Sequence, residues 1–195
     1  MGNSMAYRLC RESDGAELWA QARRLCALMS EGEPLVDLVA ELQTPEDVWR
    51  MAEALPEARF HSQALPFDDR EWSHVYRADA LPSSAHEMQI LLPFRVEEEV
   101  PAEGPVDAFV RALGYGPASV YRGGYWPDVP ELGIEAYPKY EAVQAVFNSD
   151  ALDGEEPAGH HTLFVHLSKW GDLPRAEWLA GQLGTRVVGG AVAGR

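Results

Sequence analysis

Over the first sixty residues the apolar side chains recur at helical spacing. After a cap at Ser13, the residues Leu18, Ala22, Leu25, Cys26 and Met29 form one stripe that Gly32 ends. Leu35, Leu38, Val39 and Leu42 form a second, shorter stripe. Thr44-Pro45-Glu46-Asp47 then offers a hydroxyl cap, a proline in the first turn and two carboxylates at the positive end of a helix dipole. Val48, Met51, Ala52 and Leu55 follow on one face until Pro56. The pattern predicts a helical N-terminal region over residues 1–60 containing three helices.

Residues 61–195 read as an α+β sheet domain. Met88, Ile90, Leu92, Phe94 and Val96 alternate with Gln89, Leu91, Pro93, Arg95 and Glu97, the period of a half-buried strand, with Pro93 marking an edge or a bulge. Glu97, Glu98 and Glu99 end that strand in water. Val106, Phe109, Val110 and Leu113 predict a helix closed by Gly114, and a strand follows over 119–122. The same order returns over 162–192: a strand through Leu163, Val165 and Leu167, a helix bearing Ala176, Leu179, Ala180 and Leu183, and a final strand over 186–192. Both units share a grammar, Leu113-Gly114 before Gly123-Gly124 and Leu183-Gly184 before Gly189-Gly190. Two such units predict a ferredoxin-like (split βαβ) antiparallel sheet, with an aromatic loop inserted at about residues 125–157. Within that insertion, residues 140–147 fit a strand and a short helix equally well.

The 195 residues carry a formal charge of −15, with 46% apolar, 10% aromatic and 24% charged positions, a composition that folds rather than one that stays disordered. The acidic excess is greatest in residues 61–160. Lys139 and Lys169 are the only lysines and the arginines are scattered, which excludes the clustered cations that nucleic acid or an anionic membrane requires. No apolar run is long enough to cross a bilayer, and the chain reads as cytoplasmic. Met5 follows Met1 so closely that residues 1–4 read as an appended segment.

Local motifs supply no catalytic centre. Cys10 and Cys26 lack the spacing of a zinc or redox pair. His160, His161 and His166 do not converge at strand spacing, so no metal is expected. Residues 150–156 resemble a calcium loop in composition, but Ser149, Ala151 and Pro157 stand where ligands are needed. Gly114-Tyr115-Gly116 lacks the third glycine of a dinucleotide fingerprint, and there is no nucleophile elbow or P-loop. No cofactor is expected, and the sequence leans away from an enzyme.

The stretch Tyr121-Arg122-Gly123-Gly124-Tyr125-Trp126-Pro127, continued by Tyr137-Pro138-Lys139-Tyr140, is rich in the side chains that dominate binding surfaces. With Glu97, Glu98 and Glu99 as an acidic rim, the expected partner-binding residues are Tyr121, Arg122, Tyr125, Trp126, Tyr137 and Tyr140. The sequence therefore predicts a non-catalytic acidic protein-binding module of inhibitor or immunity type, acting on a basic protein partner. The alternative is a small enzyme or ligand-binding domain that uses His160, His161 or His166 with a carboxylate such as Asp153. A homo-oligomer, in which a second copy covers an open sheet face, is the third.

Overall fold

The structure, a computed structural model, describes residues 4–64, 74–136, 141–155 and 157–194. In chain order the elements are β1 (Ser4–Glu12), α1 (Gly15–Cys26), β2 (Glu31–Gly32), β3 (Leu35–Leu42), α2 (Pro45–Ala54), β4 (Arg59–Ser62) and β5 (Val75–Arg77). Next come α3 (Ala85–Leu91), β6 (Phe94–Pro101), α4 (Val106–Ala112), β7 (Ala118–Tyr125), β8 (Ala142–Phe147), β9 (His161–Ser168), α5 (Leu173–Gln182) and β10 (Val192–Ala193). Among the described residues the strands form one ten-stranded antiparallel sheet in the order β10-β1-β9-β8-β7-β3-β6-β4-β5, with β2 paired to β7.

The connectivity repeats. From β3 the chain runs through α2, β4, then past β5 and α3 to β6, α4 and β7, and strands β3, β4, β6 and β7 stand in the order β7-β3-β6-β4. β1, α1, β8, β9, α5 and β10 repeat that path around it, in the order β10-β1-β9-β8. The inner unit is inserted between α1 and β8, and the two units join in the one sheet through the β7–β8 pair, where Ala118 faces Phe147.

Alternation divides the sheet into two faces. Val36, Leu38, Ala40 and Leu42 of β3 point toward the helices, as do Val143, Ala145 and Phe147 of β8 and Leu163, Val165 and Leu167 of β9. α1 lies on β8 and β9, α2 and α4 on β3, and α5 on β1. Leu18, Ala22 and Leu25, then Val48 and Met51, then Leu179 complete this single core. Helix ends are built locally. Asp14 accepts from the amides of Ala16 and Glu17 at 2.8 and 3.4 Å, so the cap falls one residue beyond Ser13. Thr44 and Asp47 form a reciprocal capping box on α2.

Several sequence expectations are corrected. Residues 1–60 are not a helical region, since β1, β3 and the first two residues of β4 belong to the common sheet. Leu35, Leu38, Val39 and Leu42 match a helical period, yet the buried set is Val36, Leu38, Ala40 and Leu42, a period of two. Residues 88–91 belong to α3, and the strand starts only at Phe94, beyond Pro93, which has no N–H for a ladder. The units at 88–122 and 162–192 do not share a four-stranded sheet, because β6 and β7 flank β3 whereas β9 and β10 flank β1. Residues 125–157 are not a surface insertion either: β8 lies within them and joins the halves, buried along its length. The last strand is limited to Val192–Ala193. Ser4 opens β1 and is buried.

Candidate functional site

Helices cover one face of the sheet; the other face is covered only in part. On β1 the register shifts between Arg8 and Cys10, so Arg8 and Arg11, three positions apart, reach the same side, opposite the described helices. Both meet Asp150. Its carboxylate takes Arg11 at 2.9 and 2.5 Å, Arg8 Nε at 3.1 Å, Thr162 Oγ1 at 3.0 Å and His160 Nε2 at 3.3 Å. These cations and donors hold the Asp150 carboxyl well below the usual range, the Arg11 hydrogen bonds contributing most. Gln144 Nε2 donates to the Leu152 carbonyl at 2.9 Å, and Leu152 packs on Ala6, Val146 and Phe164. The segment 149–155 is thus stapled over β1, β9 and β8.

β7, β3 and β6 continue this face without that cover. Ser119 and Tyr121 from β7, Asp37, Val39 and Glu41 from β3, and Arg95, Glu97 and Glu99 from β6 share it by register. Asp37 is directly opposite Glu99, Val39 opposite Glu97, and Glu41 opposite Arg95. Where the 149–155 segment stops, two adjoining depressions of about 190 and 360 Å³ share Val39, Arg95, Ser119 and Asp153. Glu41 and Glu155 line the first, Gln144 and Gly194 the second. Arg95 is engaged by Glu97 at 3.3 Å, an exposed pair. The groove therefore has an acidic wall on each side, Glu41 on the sheet and Asp153 with Glu155 on the loop.

The residues read from the sequence as a binding surface are distributed differently. Glu97 and Glu99 are exposed on the open face, but Glu98 has the opposite parity and accepts the Arg59 amide at 2.7 Å, anchoring β4. Tyr121 lies on the open face, edge-on to the His166 ring at 5.2 Å between centroids, while Arg122 points to the helix side. Tyr125 is 38% exposed. Trp126 is completely buried and offers no contact area, because its amide donates to Glu141 Oε2 at 2.8 Å and the indole enters the core. Tyr137 and Tyr140 lie outside the described residues. The Trp126 segment is held inward by Arg175, itself buried, which donates to the Pro127 and Glu135 carbonyls at 2.8 and 2.6 Å and to Asp172 at 3.3 Å. Burial pushes the Glu141 carboxyl up to about 7, against the opposing pull of the Trp126 amide and Arg175.

The histidines are spread over different surroundings. His166 is fully buried between Ser4 Oγ at 3.1 Å and Gln144 Oε1 at 2.9 Å, an arrangement in which Nε2 donates to Gln144. His161 leans on Phe147 and its Nδ1 accepts the Asn148 amide at 3.0 Å; burial lowers its pKa. His160 touches Asp150, and Asp153 instead faces the groove. Sequence reasoning missed Asp37, Glu41, Ser119 and Gln144. The available signal was the alternation of Asp37, Val39 and Glu41 with apolar partners, once β3 is read as a strand.

No protein-family model, no curated protein and no solved structure matches the chain. No helix among the described residues is long and apolar enough to cross a membrane.

Proposed function

We propose that the protein is a non-catalytic, acidic protein-binding module that takes a basic protein partner on the open face of its sheet, in the manner of an inhibitor or immunity protein. One observation carries the reading: carboxylates of Asp37, Glu41, Glu97 and Glu99 share one side of β3 and β6, the side opposite the described helices. Like charges set directly across a strand pair cost stability. Asp37 opposite Glu99 is such a pair, and its place near a groove whose other wall holds Asp153 and Glu155 favours a role in attracting cations. The net charge of −15 acts in the same direction at long range. The framework that presents this face is read as two ferredoxin-like units, one inserted in the other, which the repeated strand order supports.

The test is capture of partners from the native cell at low ionic strength on the immobilised protein, followed by elution with salt. A basic protein that is retained, that elutes as salt rises, and that is lost from a Glu97→Lys, Glu99→Lys variant is the expected result. Retention unchanged by the two reversals would overturn the reading. Glu98 is left intact in that variant, since its contact with the Arg59 amide belongs to the fold.

A further inference from the structure

On the opposite side of the sheet, between α1 and α4, lies a cavity of about 380 Å³ lined by Trp19, Arg23, Cys26, Val36, Asp107 and Arg122 among others. That volume is within the range of small-molecule sites. Its floor is unusual. Arg122 projects from β7 toward the helix side, in register with Val143, where a charge is expensive unless it is paired. Among the described residues no carboxylate lies within 4.0 Å of its guanidinium. Its Nε is buried and has no acceptor.

The neighbours do not neutralise it. Two acids line the same cavity: Glu103, which makes no ion pair with Arg122, and Asp107, which is already engaged by Trp19 Nε1 at 2.7 Å and Arg23 Nη1 at 3.2 Å. The Cys26 sulfur hydrogen-bonds the Arg122 side chain, but burial pushes the thiol up to about 11, so it stays neutral at pH 7 and supplies no negative charge. Gly32 is shaped around the same group: a Cβ there would stand 2.8 Å from Arg122 Nη2. Arg122 thus lines, without a carboxylate within ion-pair distance, a cavity whose other walls include Trp19, Val36 and the buried Val106.

We propose that this cavity binds a small organic carboxylate with an apolar body, its oxygens on Arg122 and its body between Trp19, Val36 and Val106. A guanidinium donates two parallel bonds to a carboxylate, here from its terminal Nη groups because Nε is buried, and the apolar walls add affinity that a bare anion cannot gain. The site is separate from the acidic face and does not depend on it.

Benzoate and 4-methylpentanoate serve as probes, with acetate and inorganic phosphate as anions without an apolar body. Titration calorimetry on the full chain should give saturable binding of at least one apolar carboxylate, and at least tenfold weaker binding of acetate and phosphate. Arg122→Met should lose that binding by at least tenfold. Ala27→Leu, which fills the cavity from its rim and leaves Arg122 in place, should lose it as well. The wild-type chain gives a readout independent of any variant's folding: the bound carboxylate should slow modification of Cys26 by a thiol reagent, with the buried Cys10 as the unreactive background. Absence of saturable binding by both apolar probes, phosphate or acetate binding as tightly as they do, or unprotected Cys26 under saturating probe would each overturn the proposal.

Discussion

Asp37 and Glu99 face each other across the β3–β6 pair, two carboxylates on the side of the sheet opposite the described helices. Directly opposed like charges cost roughly 0.2–1 kcal/mol, and an opposite pair gains a similar amount. Glu99→Lys should therefore leave the protein as stable as the wild type or stabilise it by up to about 1 kcal/mol, measured as the urea midpoint at constant slope. The same variant should lose retention of the basic partner. A clear loss of stability would instead make the carboxylate pair part of the fold.

Glu141 gives the fold a pH dependence in a defined window. Its carboxyl is raised from 4.5 to about 7 by burial, so the folded chain holds a proton that the unfolded chain has released. The associated stability is fully present below about pH 4.5 and is lost as pH rises through about 7. Because a tenfold change in proton affinity is about 1.4 kcal/mol, the effect is on the order of 3 kcal/mol. Glu141→Gln keeps an acceptor for the Trp126 amide and removes the titration. Its stability relative to wild type should thus be higher at pH 8 than at pH 4.5, by denaturant unfolding at both. A difference that does not change with pH would contradict the raised carboxyl.

Much of the architecture was legible where one rule acted alone. α1, α2, α4 and α5 follow from stripes with caps, and β9 from strict alternation. β3 was not, because Leu35, Leu38, Val39 and Leu42 satisfy a period of 3.6 while Val36, Leu38, Ala40 and Leu42 satisfy a period of two, and only the pairing with β6 and β7 decides between them. β8 carries no alternation at all, since helix α1 covers one side and the 149–155 segment the other. The site suffered for the same reason. Once β3 is a strand, Asp37 and Glu41 join Glu97 and Glu99, whereas composition alone pointed to Trp126, which the Glu141 and Arg175 contacts draw inside. A sequence lists aromatic residues but does not show which buried polar groups they must satisfy.

Asp150 should be the most sensitive polar position of the open face. It gathers Arg8, Arg11, Thr162 and His160, and Arg8 in turn stacks over Phe164 at 5.2 Å. Asp150→Asn keeps the shape and removes the charge, leaving Arg8, whose side chain is 17% exposed, without its counterion. A loss of about 2–4 kcal/mol is expected at pH 7, since breaking a largely buried pair strands one charge. The carboxyl is lowered in the folded state, so the wild type should lose this contribution as pH falls below about 4, where the unfolded chain takes up the proton first. Denaturation of both proteins at pH 7 and pH 3 should show their difference shrinking.

Two glycines should respond to alanine in opposite directions. At Gly116 an added Cβ would stand 1.9 Å from the Glu41 carbonyl oxygen, a backbone atom that cannot swing aside because the Glu41 amide is itself bonded to the Pro117 carbonyl at 2.9 Å. Asn148 Nδ2 fixes the other side, donating to the Gly114 and Gly116 carbonyls at 2.8 Å each. Gly116→Ala must therefore separate the β7 entrance from β3 and should cost about 3 kcal/mol, at the upper end of overpacking effects. At Gly181, inside α5, nothing lies within 4 Å of the same added atom. Gly181→Ala removes a flexible residue from a helix and should stabilise the protein by about 0.5–1 kcal/mol. Urea midpoints of the two variants should then lie on either side of the wild type.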